Sequence, residues 1–155
     1  MTSVALALAT CAGIGYVRWA PGTFGSLAGL LLWYLVPESP GLQIGAIVSV
    51  FLVGAWTGGV AERHFGATDP SHVVLDEVVG MWITLLFNPV GWQGAVIAFV
   101  LFRVFDVLKP YPADRLERLH GGFGVMADDA MAAIYANMTL RLTIYLLAAF
   151  PHWAL

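Results

Sequence analysis

The sequence predicts an all-α, polytopic integral membrane protein with about five transmembrane helices. Three observations lead there. The 155 residues are 59% hydrophobic and only 11% charged, where soluble domains run near about 25% charged. The mean hydropathy is +0.80. The charges are also segregated, and the stretches 19–37, 39–61 and 78–102 carry none. So little polar surface cannot coat a water-soluble globule of this size. The length fits one membrane-embedded domain over residues 1–155. A net charge of −3 supplies no basic field for a polyanion, which excludes a nucleic-acid binder. The single cysteine, Cys11, excludes an intramolecular disulfide scaffold.

Residues 3–12 are apolar enough for a short interfacial helix and too short to span. No Lys or Arg precedes Arg18, so the basic start of a signal peptide is missing, and the segment is expected to remain in the mature protein. The first span is expected over 23–36, and Pro37, Pro40 and Gly41 break the chain after it. A second span covers 42–61. The uncharged run 78–102 is interrupted by Asn88-Pro89-Val90-Gly91, a turn signal. It predicts a helical hairpin, with one arm over 71–87 and the other over 92–108. The last span covers 126–149 and contains Arg141. In this arrangement Arg18, Arg63, Arg103, Lys109, Arg115 and Arg118 share one side, which the positive-inside rule makes cytoplasmic. Glu38 falls on the other side. Asp114, Arg115, Glu117 and Arg118 read as the wet face of a short interfacial helix.

The hairpin brings distant residues to one depth. Asp76 precedes Pro89 by about as much sequence as Arg103 follows it, so both stand about 20 Å from the turn. Asp76, Glu77, Arg103 and Asp106 therefore meet near the cytoplasmic interface. Arg103, Asp106 and Lys109 share one helix face by their spacing. Asp128 and Asp129 are expected to open the last helix, after a flexible Gly121-Gly122-Phe123-Gly124 loop whose N–H groups can approach a ligand. Five carboxylates then converge: Asp76, Glu77, Asp106, Asp128 and Asp129. Like charges at close range repel, and a bound divalent cation removes that cost. Oxygen ligands suit Mg2+, Mn2+ or Ca2+ rather than zinc. Arg103, Lys109 and Arg18 can hold an anionic substrate beside the metal.

Each feature also has a structural reading. The acids can pair with Arg103 and Lys109 simply to fix helix packing, although carboxylates at membrane depth are functional candidates by default. Asp128 and Asp129 can favour a helix N-terminus through its dipole, but one would suffice. Asp69-Pro70 reads as N-cap and first residue of the hairpin's outgoing arm. Pro21-Gly22-Thr23 and Gly25-Ser26 read as a helix entrance, where Thr23 or Ser26 can cap or contact phosphate. His120 can act as a general acid or be an ordinary interfacial side chain.

Three blocks of sequence resemble the phosphatidylglycerophosphatase A family of bacterial lipid phosphatases. The first is Ala20-Pro21-Gly22-Thr23-Phe24-Gly25-Ser26-Leu27. The second is Asp69-Pro70-Ser71-His72-Val73-Val74-Leu75-Asp76-Glu77-Val78-Val79-Gly80. The third runs from Arg103-Val104-Phe105-Asp106 through Lys109-Pro110 and Pro112 to Gly121-Gly122-Phe123-Gly124-Val125-Met126-Ala127-Asp128-Asp129. The resemblance implies a multi-pass, Mg2+-dependent enzyme of the bacterial inner membrane with its active site at the cytoplasmic face. Its substrate would be phosphatidylglycerophosphate, and its products phosphatidylglycerol and inorganic phosphate. Asp76, Glu77, Asp106, Asp128 and Asp129 would hold Mg2+. Lys109, Arg103, Arg18 and Thr23 would bind the phosphate, with Lys109 also catalytic. Water would attack in line, or an aspartyl-phosphate would form first. The paired-His motifs of type 2 phosphatidic-acid phosphatases and the Asp-Gly-x-x-Ala-Arg start of CDP-alcohol phosphotransferases are both missing. The competing reading from another class is a small membrane cation transporter or channel, with the same carboxylates as ion ligands.

Overall fold

The computed structural model describes residues 2–116, 119 and 121–149. Glu117, Arg118, His120 and their expected interfacial roles lie outside the described residues. Among the described residues there are seven α-helices, a short 3₁₀ turn at Ile14–Tyr16, and no strand. The helices are α1 (Thr2–Ala9), α2 (Pro21–Trp33), α3 (Pro40–Phe65), α4 (Leu75–Leu85), α5 (Trp92–Leu108), α6 (Ala113–Leu116) and α7 (Gly122–Ala149).

Proline and glycine set several boundaries as expected. Pro21 and Pro40 occupy the first positions of α2 and α3, where a missing N–H costs nothing. Gly66 ends α3 in the left-handed conformation, its N–H donating to the Glu62 carbonyl. That carries α3 four residues beyond the expected end at Ala61. The hairpin turn falls at Asn88–Gly91, and α5 has the expected bounds.

The outgoing arm of the hairpin differs from expectation. α4 begins at Leu75 rather than at Ser71. The Val73 N–H turns back to the Pro70 carbonyl, and the Val74 N–H donates to the Ala9 carbonyl at the end of α1. The segment before Leu75 is thus pinned to α1 and cannot join the helix. Asp69 has a left-handed φ of 47° and is not the N-cap of α4, which is Val74. The last helix differs in the opposite sense. It begins at Gly122, so Gly122-Phe123-Gly124 forms its first turn and not a loop. α7 crosses α3 there so closely that a Cβ on Gly122 would strike the Ala55 carbonyl, and only glycine permits that approach.

α4 is the axis of the fold. It packs against α2, α3, α5 and α7, and nine of its residues are buried, including Asp76, Val78, Met81, Trp82 and Thr84. Neighbouring helices supply partners for several of its polar groups. Trp82 Nε1 donates to the Gly29 carbonyl at 2.9 Å. The side-chain amide of Asn137, on α7, reaches the carbonyls of Ile83, Thr84 and Leu86 at 3.0, 3.0 and 2.9 Å. These are C-terminal carbonyls that lack a partner further along the helix, and Asn88 also donates to those of Thr84 and Leu86.

Two helices, α3 and α7, are long and apolar enough to cross a membrane. α2 and α4 have 13 and 11 residues. They reach about 20 Å and about 17 Å, less than the ~30 Å hydrocarbon core. The outer surface is apolar: Leu31, Leu35, Leu52, Val107 and Leu108 are each more than 60% exposed. The interior holds Asp76, Asp106, Asp128 and Asp129, each at most 9% exposed. Carboxylates inside and leucines outside is the reverse of a water-soluble protein.

Candidate active site

The acidic residues come from three helices around one point. Asp76 and Glu77 lie in the first turn of α4. Asp106 is in the last turn of α5, and Asp128 and Asp129 stand well inside α7. The last two do not open their helix. They sit roughly two turns in, because the helix starts at Gly122. A dipole-capping role for Asp128 and Asp129 therefore falls away, since that effect fades within the first turn.

Asp76, Glu77 and Asp129 can each offer a ligand atom such that all three lie within 4.8 Å of one another. The Asp129 carboxyl also lies within hydrogen-bonding reach of Asp106. Asp106 is held by Arg103, whose Nη1 lies 2.6 Å from Oδ2 one helical turn away. The same Nη1 donates to Ser26 Oγ on α2 at 3.5 Å. Asp128 is held from the opposite flank, its Oδ2 2.7 Å from Lys109 Nζ. Lys109 is the C-cap of α5 in the left-handed conformation. It has therefore left the helix face it was expected to share with Arg103 and Asp106, and this lets it reach α7.

The structure thus brings together all five predicted carboxylates and both predicted cations of α5. Asp76, Glu77 and Asp129 form the inner group. Asp106 and Asp128 flank that group, each tied to one cation. Thr23 is half-buried in the first turn of α2, with its N–H bonded to the Ala20 carbonyl. Arg18 is exposed in the segment before α2, and His120 lies outside the described residues. Met126, one turn before the acids, packs on Gly54 near the middle of α3. Asp128 and Asp129 therefore stand beside the middle of α3, and Asp76, Glu77 and Asp106 meet them from the ends of α4 and α5.

A divalent cation fits this donor set on two grounds. The donors are all carboxylate oxygens, which suit hard cations. Two buried oxygens, Glu77 Oε2 and Asp128 Oδ1, have no hydrogen-bond partner among the described residues, an arrangement that is costly unless something else satisfies them.

One position near the acids had no assigned part in the site on sequence grounds. Gly22 lies directly against Glu77 and Arg103, and a Cβ there would collide with Glu77 Oε1. The visible signal was the recurrence of small residues at 22, 25, 26 and 29 along α2, the mark of a helix face made for close approach. Asn137 was also overlooked, although a lone amide in an apolar helix is itself a signal.

Comparison with known proteins gives one consistent result. The profile of the phosphatidylglycerophosphatase A family matches residues 7–144. A phosphatidylglycerophosphatase A of Haemophilus influenzae is 42% identical over 133 residues, covering 83% of this chain and 82% of that protein. A phosphatidylglycerophosphatase A of Escherichia coli is 37% identical over 130 residues, covering 82% and 76%. A protein of Bacteroides thetaiotaomicron, named as a candidate phosphatidylinositol-3-phosphatase, is 38% identical over 152 residues, covering 92% and 90%. No solved structure matches the chain.

Proposed function

The chain belongs to the phosphatidylglycerophosphatase A family, and on that premise we propose that it hydrolyses the terminal phosphate of phosphatidylglycerophosphate with Mg2+ as cofactor. The observation that carries the reading is the group of buried Asp76 and Asp129 with half-buried Glu77, flanked by two cations. Metal-assisted phosphomonoester hydrolysis uses this combination: anionic ligands for a metal, and positive charge for the phosphoryl oxygens. The same acids meet at one place, and among the described residues no second acidic group of that kind occurs. A cation path through the membrane calls for ligands along its length, so the transporter reading is weaker.

Asp76, Glu77 and Asp129 would hold the cation, with Asp106 and Asp128 completing or buttressing the set. When bound, it would neutralise phosphate charge and favour in-line attack. Arg103 and Lys109 would turn part of their hydrogen-bonding capacity from Asp106 and Asp128 to the phosphoryl oxygens. A carboxylate of the cluster would take a proton from the attacking water. A new P–O bond forms from that water as the P–O bond to glycerol breaks, and the carboxyl that took the proton returns it to the departing glycerol oxygen, releasing phosphatidylglycerol and inorganic phosphate. Thr23 and Arg18, at and before the start of α2, are further phosphate contacts.

The protein would be multi-pass in the bacterial inner membrane. α3 and α7 cross the bilayer, and α2, α4 and α5 complete a five-helix bundle within it. Arg63, Lys109 and Arg115 end α3, α5 and α6 on the side toward which the acids lie, which supports a cytoplasmic site. The Bacteroides relative favours a second substrate, an inositol lipid bearing a phosphomonoester. The test is phosphate release by purified protein from vesicles of phosphatidylglycerophosphate and of phosphatidylinositol 3-phosphate, with and without Mg2+. Mg2+-dependent release from the first, faster than from the second, is expected. Release from the inositol lipid alone would reassign the substrate. No release from either, with cation flux across the vesicle wall, would replace the enzyme by a transporter.

A further inference from the structure

Arg103 faces two ways. Its guanidinium is bound inward to Asp106 and Ser26 and lies against Gly22. Its stem lines a shallow trough on the outer face of α5, together with Phe99, Val100, Val104, Val107 and Leu108. Apart from Arg103 every one of these side chains is apolar. Val100, Val104, Val107 and Leu108 are 52%, 44%, 73% and 69% exposed. The trough therefore joins the acidic cluster from the side, and the only charge along it is the guanidinium at the junction. From Phe99 to Leu108 the trough runs about 14 Å along the helix, close to half of the ~30 Å hydrocarbon core.

Resting on the phosphatase reading, we infer that this trough seats an acyl chain of the substrate, a diacyl lipid with a phosphomonoester headgroup. The headgroup enters the cluster past Arg103 while the chain stays on α5. Arg103 lies within the strip, with Phe99 and Val100 on one side and Val107 and Leu108 on the other, and an anionic head with an apolar tail is the ligand whose charge pattern matches a cation set among apolar side chains. Specificity then divides along the molecule. The carboxylates and cations read the phosphate, and Val100 and Val104 read the presence of a long chain.

Two measurements test this. In phosphatidylcholine vesicles, a phosphomonoester lipid carrying a photoreactive group on its acyl chain should label residues 99–108. Excess unlabelled phosphatidylglycerophosphate should suppress that labelling, and excess diacylglycerol should not. Separately, Val104→Trp obstructs an exposed site without touching the core. It should lower kcat/KM for dioleoyl phosphatidylglycerophosphate about tenfold, chiefly through KM, and leave the dihexanoyl lipid nearly unchanged. Leu52→Trp, on the outer face of α3, is the control and should change neither. Labelling that diacylglycerol competes equally, or a Val104→Trp enzyme that behaves like Leu52→Trp, would overturn the trough while leaving the phosphatase intact. A wild-type protein that releases no phosphate from any lipid would instead defeat the phosphatase reading, and the labelling arm would still decide the trough.

Discussion

Gly22→Ala isolates the geometry of the acidic group from the stability of the fold. Gly22 is buried at the start of α2, outside the acidic group itself. A Cβ there would overlap Glu77 Oε1 and sit 3.2 Å from Arg103 Nη1. Restoring van der Waals distance requires the Glu77 carboxylate to retreat by about 1 Å. The atom displaced is the end of a flexible side chain, so the backbone need not move. Metal sites tolerate deviations of only about 0.2 Å in ligand distance, and a misplacement of about 1 Å near reacting groups costs on the order of 100-fold in rate. The expected result is a loss of that size in Mg2+-dependent phosphate release, with the melting temperature shifted by a few degrees at most. Gly29→Ala supplies the contrast. Its Cβ would press within 2.8 Å of the Val78 backbone, and overpacking against backbone costs about 1–3 kcal/mol. That variant should lose stability first. If Gly22→Ala keeps wild-type activity and metal response, Glu77 does not belong to the working site in this geometry.

Asn137→Leu removes the amide that caps the carbonyls of Ile83, Thr84 and Leu86. The Asn88 amide still reaches the Thr84 and Leu86 carbonyls and the Leu86 N–H the Ile83 carbonyl, so the loss is that of a net hydrogen bond, about 0.5–1.5 kcal/mol, and an unchanged unfolding midpoint would refute the capping role. Divalent metal should stabilise the folded protein, because a ligand that binds only the native state adds about 2.7 kcal/mol at a hundred times its Kd. Melting curves should therefore rise with Mg2+ and fall back with EDTA, and Asp76→Asn should abolish the response. Lys109→Ala leaves the 3%-exposed side chain of Asp128 without its cation, and breaking a buried pair costs about 3–5 kcal/mol. Both stability and phosphate release should fall. Adding Asp128→Asn should restore stability but not activity, and recovery of both would contradict a phosphate-binding role for Lys109.

The parts of the fold legible in the sequence are those set by local chemistry. Asn88-Pro89 and Gly91 mark a turn on their own, and the bounds of α5 follow from that turn and from Lys109-Pro110. The meeting of Asp76, Glu77 and Asp106 follows from counting residues back from the same turn. What the sequence hides is decided by contacts between distant segments. The late start of α4 depends on a hydrogen bond from Val74 to Ala9. The early start of α7 depends on how closely Gly122 approaches Ala55. That second contact also moves Asp128 and Asp129 from a helix end to a helix interior. The release of Lys109 toward Asp128 depends on a left-handed C-cap, a conformation that lysine does not advertise. α2 and α4, of 13 and 11 residues, pack against several neighbouring helices, contacts that no local pattern announces.

The central claim is that the carboxylates gathered by α4, α5 and α7 form the metal-dependent phosphatase site. Asp129→Asn tests it most directly, since Asp129 belongs to the inner group and also meets Asp106. The substitution keeps the shape of the side chain and removes its charge. Phosphate release from phosphatidylglycerophosphate at saturating Mg2+, with folding checked by melting curve, should fall by at least about 1000-fold. A well-folded Asp129→Asn protein within a few-fold of wild type would place the chemistry elsewhere.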